Sequence, residues 1–366
     1  MIQKVLVVGQ IPPPFHGQAI SIQLMLEGNY RKLRLHHVRM AFSHNISEVG
    51  KFKFKKLFHL FTVISSIIYT RFRHRTTTMY YVPAGPDKIP MYRDLVILLS
   101  TRWLFKKTVF QFRAAGISEI YPKLSSLTRY FFEKAYFKTD LAISLSEFNP
   151  PDGKVLQAKK NIVVYNGLED VYPRFSFKKK SDHTEPRLLY VGAIRKSKGI
   201  MVLVETCDLL KKRGFKFKLK IMGKFKSECF KKKIENYIHD KQLENYIVFI
   251  GELTGDMKWN EYYETDIFVF PSFFKSEATS RVVIEAMSFE IPVVATKWRG
   301  IQAQIEEGKS GLLVPIKDSG MLADKISILL NNPQLRQCMG SRGREIFLEK
   351  FTIARFWQNM EKAFLF

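Results

Sequence analysis

Short apolar segments of strand length alternate with longer helical patterns along the whole chain of 366 residues. These segments predict strands, and they fall into two sets with residues 172–186 between them. The predicted strands are 4–9, 79–83, 107–112, 141–146 and 161–166 in the first set and 187–192, 218–223, 246–251, 267–272 and 292–296 in the second. Segments this apolar are typical of strands buried on both faces. The pattern therefore predicts two parallel sheets covered by helices.

The segment between the two sets of strands contains two prolines, a lysine triplet and no periodicity, which is typical of a linker. We therefore predict an α/β protein of two Rossmann-like, doubly wound domains with a cleft between them. The predicted parts are residues 1–172, a linker at 173–186, a second domain at 187–350 and an amphipathic helix at 351–366. That helix either closes the second domain or crosses back onto the first.

Residues 51–75 have basic ends around an apolar middle and predict a helix. One helical stripe contains Phe54, Leu57, Phe58, Phe61, Ile64 and Ile68, and further apolar residues off this stripe are Leu60, Val63 and Ile67. Helices that are apolar all round are usually buried, so we expect the middle to be a core helix. Its basic ends, with residues 123–138, are expected to give the first domain a patch that faces anionic lipid.

The charge of the chain is strongly positive and unevenly distributed. There are 59 Lys and Arg against 34 Asp and Glu, for a net charge of +25, yet residues 251–366 hold 14 basic and 15 acidic side chains. The excess of positive charge in residues 1–250 favours phosphorylated ligands, an anionic membrane surface or nucleic acid as partners. The uneven distribution favours a local basic patch over a protein surface that binds nucleic acid along its whole length, and the sequence contains no nucleic-acid-binding motif.

Cysteine usage and the hydrophobic profile indicate the compartment. Three widely spaced cysteines give neither a disulfide framework nor the spacing of zinc ligands. The chain begins without a signal-peptide pattern, and its most apolar run, 57–70, is shorter than the ~20 residues that span a bilayer. We therefore expect a cytoplasmic protein that associates peripherally with the inner face of the membrane.

Two loops that follow predicted strands have the composition of anion-binding turns. After the first strand, residues 11–19 (IPPPFHGQA) lead into a helix whose N-terminus would face an anion, and Gly17 would let backbone approach a ligand. After residue 192, Arg195, Lys196 and Lys198 precede Gly199 and a helix, which suits a clamp on a diphosphate. An ordinary strand-to-helix turn and a solvated basic loop explain the same residues, so neither motif alone establishes an anion-binding site.

The segment 267–296 carries the most information about chemistry. A buried strand is followed by a loop with Glu277 and then by a helix with Glu285 in the apolar stretch RVVIEAM. Their spacing keeps the two carboxylates from sharing one proton, so each is expected to accept hydrogen bonds from different hydroxyls of one long ligand. Free N–H groups at Ala278 to Ser280 would face an anion between them. By spacing alone an exposed loop acid and an ordinary helix Glu would explain the pair. However, an unpaired carboxylate in an apolar stretch is costly.

Taken together, these segments resemble the retaining, nucleotide-sugar-dependent glycosyltransferases of family 4, which have the GT-B fold and include bacterial polysaccharide and lipopolysaccharide enzymes. The matching segments are SEATSRVVIEAM (276–287), IPVVATKWRGI (291–301), GKSGLLVP (308–315), YVGAIRKSKG (190–199), VYNGL (164–168) and IPPPFHGQA (11–19). Their order and spacing cover almost the whole chain. The resemblance implies that the first domain binds the acceptor and the second binds the nucleotide sugar.

The resemblance also implies roles for individual residues. Glu277 corresponds to the acid that holds the sugar hydroxyls of the donor, Lys198 and Arg195 to the cations on its diphosphate, and Glu285 to the acid on its ribose. The other implied donor-binding residues are Gly17, Gly192, Gly251, Ala278, Thr279, Ser280 and Arg281. The implied acceptor-side residues are His16, Arg113 and Asn166.

The chain departs from the family pattern at three places. Ala193 stands where an arginine often follows the first clamp glycine, and Arg195 or Arg281 would have to replace that arginine. Gln111 and Arg113 stand where an imidazole is common, and Ala278 replaces a glycine.

The resemblance implies transfer of a sugar from a nucleoside-diphosphate sugar to a glycan or polyprenyl-linked acceptor. We expect no cofactor and no metal, because the chain has no Asp-x-Asp motif. Cations and a helix N-terminus would then stabilise the departing diphosphate. Two other hypotheses stay open: a non-catalytic sugar-nucleotide-binding protein and a basic nucleic-acid-binding protein.

Overall fold

The computed structural model describes residues 2–13, 17–40, 54–177 and 184–365. The chain divides into two compact units. The first comprises Met1–Gly167 together with Ile353–Phe366, and the second comprises Leu168–Thr352. The division comes earlier than the predicted boundary at 172, because Leu168 forms a parallel bridge with Thr352 and Tyr172 packs edge-on against Phe289. The roles predicted for the two domains stay predictions.

The first unit contains a six-stranded parallel sheet with the order β2-β1-β3-β4-β5-β6. Its strands are β1 (Gln3–Gly9), β2 (Leu33–Arg39), β3 (Thr78–Tyr81), β4 (Lys107–Phe112), β5 (Leu141–Ser144) and β6 (Lys160–Val163). Its helices are α1 (Gly17–Leu26), α2 (Phe54–Arg73), α3 (Lys88–Thr101), α4 (Ser126–Tyr136) and α5 (Asp152–Val155). Alternate residues of β1 enter different cores, Leu6 and Val8 on one face and Val5 and Val7 on the other. The sheet is therefore buried on both faces, as its apolar strands predict.

The second unit has another six-stranded parallel sheet, with the order β12-β11-β10-β7-β8-β9. Its strands are β7 (Arg187–Val191), β8 (Lys218–Met222), β9 (Ile247–Gly251), β10 (Ile267–Phe270), β11 (Val293–Thr296) and β12 (Gly311–Val314). Its helices are α6 (Ile200–Lys212), α7 (Glu228–Asp240), α8 (Gly255–Tyr263), α9 (Arg281–Ser288), α10 (Ser319–Asn331) and α11 (Pro333–Ile346). Each unit is therefore a parallel α/β sheet with helices between its strands, as the sequence pattern predicts.

The last helix, α12 (Ile353–Phe364), belongs to the first unit. Phe356, Met360 and Phe364 are buried in the same core as Val5 and Tyr80 of the first sheet. The half-buried Trp357 donates a hydrogen bond from its indole nitrogen to a carbonyl of α1 at 2.7 Å. The chain thus completes the first core with residues that follow the second unit.

The predicted burial of α2 is wrong for most of its described stripe. Leu60, Val63 and Ile67 face the core, whereas Phe58, Phe61 and Ile68 from the predicted stripe are exposed. An all-round apolar helix gives no sequence signal for which side packs against the sheet. Within the described ranges, no helix combines the length and hydrophobicity needed to cross a bilayer.

Candidate functional site in the second unit

Glu277 lies at the carboxyl edge of the second sheet, in the loop between β10 and α9. The Oγ of Ser272, just after β10, donates a hydrogen bond to Oε2 of Glu277 at 2.9 Å. The Nζ of Lys198 donates to the same oxygen and forms an ion pair with it. Glu277 is only 8% exposed. The structure therefore joins the predicted sugar-binding acid directly to one of the predicted diphosphate cations.

The turn that carries Lys198 is fixed by a tight backbone approach. Lys196–Lys198 form a single 3₁₀ turn that ends at Gly199, whose φ is +76°. A Cβ atom on Gly199 would lie 2.0 Å from the carbonyl oxygen of Pro271, at the end of β10. Only glycine combines this conformation with this contact. The turn Lys196–Lys198 is thus packed directly against the end of the strand that leads to Glu277.

Aromatic rings surround the cations of this turn. Lys198 Nζ lies 5.3 Å from the ring centre of Phe270 and 5.0 Å from that of Phe274, and the guanidinium of Arg195 lies 4.8 Å from the latter. Arg195 is exposed and forms no ion pair with any residue in the described ranges. Its guanidinium is therefore available to an anion, beside an ammonium that is already paired.

Gly192 and Gly251, two other predicted donor-binding residues, lie at the carboxyl ends of β7 and β9. The N–H of Gly192 donates to the carbonyl of Met222 at 2.9 Å, and the carbonyl of Gly251 accepts from Gly223 at 2.7 Å. The Tyr190 hydroxyl donates to the carbonyl of Ala193 at 3.2 Å, at the place where the family often has arginine. Burial, together with the nearby Glu277 carboxylate, raises the pKa of Tyr190 above its usual range. This phenol therefore stays neutral and acts as a donor.

Glu285 is 5% exposed on α9 and has protein partners of its own. The Nζ of Lys258 donates to Oε1 at 2.7 Å, and the hydroxyl of Tyr262 donates to Oε2 at 2.7 Å. Burial and the Glu285 charge raise the pKa of Tyr262 well above its usual range. The carboxylate in the apolar stretch is therefore paired, and it shares neither a partner nor a proton with Glu277.

The N-terminus of α9 is held by an amide side chain. The Oε1 of Gln304 accepts from the N–H of Ser280 at 2.9 Å, and its Nε2 donates to the Ser280 carbonyl at 2.8 Å. The prediction of free N–H groups from Ala278 to Ser280 is therefore wrong for Ser280. Thr279 and Arg281 flank this residue at the start of α9, both half-buried. Gln304 positions the segment that connects the two glutamates.

The predicted acceptor-side residues fall in the first unit and form a group there. The guanidinium of Arg113 donates to Asn166 Oδ1 at 2.9 Å, and the hydroxyl of Ser21 reaches the same oxygen at 3.4 Å. Ser21 also donates to the carbonyl of Gly17 at 2.9 Å. Arg113 is 8% exposed, and its Nε and Nη2 have no hydrogen-bond partner among the residues that the structure describes. His16 lies outside the described residues.

Four residues of the site were not found from the sequence: Ser272, Lys258, Tyr262 and Gln304. Ser272 follows an apolar strand, where a serine is unremarkable, and the other three lie in segments without a motif. Only the apolar context of Glu285 signalled that a partner was needed. Among the described residues, no cluster of three or more His, Cys, Asp or Glu side chains could hold a metal ion.

Comparisons with known proteins bear on the second unit most directly. The family model described as glycosyl transferases group 1 matches residues 171–346. An uncharacterized glycosyltransferase of Methanocaldococcus jannaschii, MJ1178, is 30% identical over 251 residues, which cover 68% of this chain and 66% of that protein. The capsular polysaccharide biosynthesis glycosyltransferase CapM of Staphylococcus aureus is 30% identical over 175 residues, 48% of this chain and 44% of CapM.

A solved structure extends the similarity of fold to the whole chain. Anabaena HepE in complex with UDP superimposes with a TM-score of 0.72 over 99% of each chain, at 16% identity. The matches to the curated relatives named above span less than two thirds of the length of those proteins. The matched residues 171–346 include Lys198, Glu277 and Glu285, the residues on which the predicted resemblance rests. Residues 171–346 thus match the glycosyl transferases group 1 family, and the chain as a whole has the GT-B fold, which confirms the predicted fold class.

Proposed function

We propose that this protein is a retaining glycosyltransferase. In this proposal it moves a sugar from a nucleoside-diphosphate sugar to a hydroxyl of a glycan or lipid-linked acceptor, in the biosynthesis of cell-surface polysaccharide, without a metal. The observation that carries the proposal is the buried pair of Lys198 and Glu277, with the exposed Arg195 beside it. The names of CapM and of other relatives that build capsular or colanic acid polysaccharide support the assignment to surface polysaccharide.

The pair of Lys198 and Glu277 suits the junction between the diphosphate and the sugar of the donor. An ionised carboxylate only accepts hydrogen bonds, so Glu277 is suited to sugar hydroxyls. Lys198 and Arg195 supply positive charge for the phosphate oxygens. Fixed cations of this kind stabilise a leaving group as its negative charge develops. Their surroundings are aromatic and partly buried, which strengthens this interaction relative to water.

Glu285 suits the other end of the donor, at the ribose. Lys258 and Tyr262 each occupy one of its oxygens, and a carboxylate has about four acceptor sites in all. Lone pairs therefore remain for ribose hydroxyls. The two protein donors hold the carboxylate in place before the donor binds, which reduces the ordering cost of binding.

The proposed chemistry needs no protein nucleophile. The acceptor hydroxyl attacks the anomeric carbon from the side of the leaving diphosphate. The bond from that carbon to the phosphate oxygen breaks, and the departing phosphate takes the acceptor proton. Glu277 orients the sugar, whereas Lys198 and Arg195 neutralise the diphosphate. In the first unit, Arg113 and Asn166, with His16, are proposed to contact the acceptor, and the basic surface of that unit is proposed to face the inner leaflet of the membrane.

A thermal-shift screen against a panel of nucleotide sugars tests the proposal, with UDP-glucose as the first probe because HepE has been solved with it. One donor should raise the melting temperature, and Glu285→Gln should weaken that shift without unfolding the protein. Radiolabelled transfer from that donor to membrane extracts then tests catalysis. If no nucleotide or nucleotide sugar shifts the melting temperature, the proposal is wrong. Binding without turnover would favour a silent sugar-nucleotide-binding protein.

A further inference from the structure

A charged, open cavity lies in the first unit, at the amino ends of its strands. It has a volume of about 430 Å³ and is bounded by the C-terminal ends of α3 and α4 and by the starts of β4 and β5. Its apolar wall includes Leu98, Leu99 and Phe105. Arg113 and Asn166 follow the carboxyl ends of β4 and β6. The cavity is therefore on the opposite edge of the sheet from the proposed acceptor residues.

The cavity has a large excess of positive charge. Its cations are Arg102, Lys106, Lys134, Lys138 and Lys159. The carboxylate in its lining, Asp140, already accepts from Lys159 Nζ at 2.8 Å and from the N–H of Thr108 at 2.7 Å. Lys106 and Lys138 form no ion pair with any residue that the structure describes. Several cations surround one carboxylate that is already hydrogen-bonded, so the cavity is complementary in charge to a phosphate group.

Arg102 gives this cavity a fixed cation in addition to the exposed lysines. Its side chain is half-buried and donates to the carbonyl of Ala135 at 2.8 Å, while the guanidinium lies 5.5 Å from the ring centre of Phe110. Burial lowers the pKa of Arg102, and the Asp140 charge opposes that change. No carboxylate in the described part of the chain pairs directly with Arg102, and a partly desolvated guanidinium of this kind gains from a nearby anion.

An exposed apolar and aromatic surface adjoins the cavity. Trp103, which lines the cavity, is 76% exposed. The turn that carries it contacts the end of α2, where Arg71 donates to the Leu104 carbonyl at 2.9 Å. The exposed apolar side chains of α2, α3 and α4 are Phe58, Phe61, Ile68, Tyr69, Phe72, Ile89, Tyr92, Val96, Leu127, Tyr130 and Phe131. We call these residues and Trp103 the helical face.

We propose that this cavity binds the phosphate of an anionic phospholipid and that the helical face lies against the bilayer around it. The inference rests on the proposed attachment of the first unit to a membrane, and it adds the site and the orientation. Tryptophan and tyrosine are enriched at the boundary between headgroups and hydrocarbon, where lysine and arginine meet lipid phosphate. Aliphatic residues such as Leu127 and Ile68 gain from hydrocarbon but not from stacking on nucleic-acid bases.

The test uses co-sedimentation of the full-length protein with vesicles, without donor or acceptor, so its outcome does not depend on glycosyl transfer. Wild type is compared on phosphatidylcholine vesicles with and without phosphatidylglycerol. The double variant Lys106→Glu with Lys138→Glu should lose roughly 30-fold or more in affinity for the anionic vesicles. A matched control, Lys216→Glu with Lys232→Glu, makes the same change in net charge at exposed positions of the second unit.

Trp103 provides an independent reading of the orientation. Its fluorescence should shift to shorter wavelength when anionic vesicles are added, and Trp103→Phe should remove most of that shift while leaving the far-UV circular dichroism unchanged. Equal losses of vesicle binding in the two double variants would overturn the proposal, because net charge alone would then explain binding. Retention of the full shift in Trp103→Phe would overturn the placement of the helical face.

The same assay separates lipid phosphate from free phosphate. Inorganic phosphate is added at millimolar concentration with chloride adjusted to the same ionic strength. Continued binding to the anionic vesicles supports a lipid site. Binding of inorganic phosphate without vesicles, combined with wild-type vesicle binding by the Lys106→Glu and Lys138→Glu double variant, would identify a site for a free phosphate compound and overturn the lipid assignment.

Discussion

Replacing Lys198 with methionine removes the charge from the central ion pair while nearly preserving the side-chain volume. The hydroxyl of Ser272 then remains as a side-chain donor to Glu277. The two side chains of the pair are 16% and 10% exposed, so the remaining carboxylate has little access to water. Removing one partner of a buried pair costs about 3–5 kcal/mol. Because this pair keeps some exposure and the serine bond, we expect a loss near 2–3 kcal/mol in unfolding free energy.

The isosteric change Glu277→Gln should cost less than Lys198→Met. The lysine that it leaves unpaired has a flexible stem, whereas Glu277 is held by its loop. We expect a loss of about 1 kcal/mol. In the double variant no unpaired charge remains, so its stability should exceed the additive expectation by about 1–2 kcal/mol. Urea unfolding of wild type, the two single variants and the double variant, all without ligand, gives this coupling free energy.

Activity should follow a different pattern from stability in the same four proteins. Each single change should lower kcat by roughly 100- to 1,000-fold, because each removes a contact to the donor in the transition state. The double variant should recover stability but not activity. If Lys198→Met unfolds at the wild-type urea concentration, the pair does not form as described. If its kcat is close to that of wild type, Lys198 does not act on the diphosphate.

Two further predictions concern the backbone that supports the site. Gly199→Ala should destabilise the second unit by roughly 3 kcal/mol or more and abolish activity. The positive-φ control Gly214→Ala, which has no atoms within 4 Å of its added Cβ, should cost only about 1–2 kcal/mol. Gln304→Ala should cost about 1–3 kcal/mol and weaken donor binding, since it leaves the buried N–H of Ser280 unpaired, whereas Gln302→Ala should change neither by much. Urea unfolding and kcat/KM measurements check both pairs, and equal effects within either pair would contradict the reasoning.

The predicted strands could be recognised because parallel strands buried on both faces are almost entirely apolar. β2 was missed because its segment, LRLHHVR, is an edge strand with basic side chains. β12 was also missed and is likewise an edge strand, with a glycine at its first position. Both strands are defined by pairing with a neighbour that is distant in sequence. Composition over a short window carries no signal for such pairing.

The candidate site was predictable where a motif links residue type to local backbone, as for Lys198 beside Gly199. It was not predictable where side chains from different helices or loops form hydrogen bonds with one another. Lys258 and Tyr262 reach Glu285 from another helix, and Gln304 reaches Ser280 from a 3₁₀ segment 24 residues away. The Ser280 N–H was expected to be free because the start of a helix leaves its first donors unpaired. Instead, the side-chain amide of Gln304 accepts its hydrogen bond.

The return of α12 to the first unit makes the second unit an insertion whose two ends lie side by side. Leu168 donates its N–H to the carbonyl of Phe351 at 2.8 Å, so the chain enters and leaves at adjacent points. During synthesis, the first core lacks Phe356, Met360 and Phe364 until the whole second unit has been synthesised. A chimera that exchanges donor specificity should therefore transplant residues 168–352 as one cassette and leave both flanking segments with their own host.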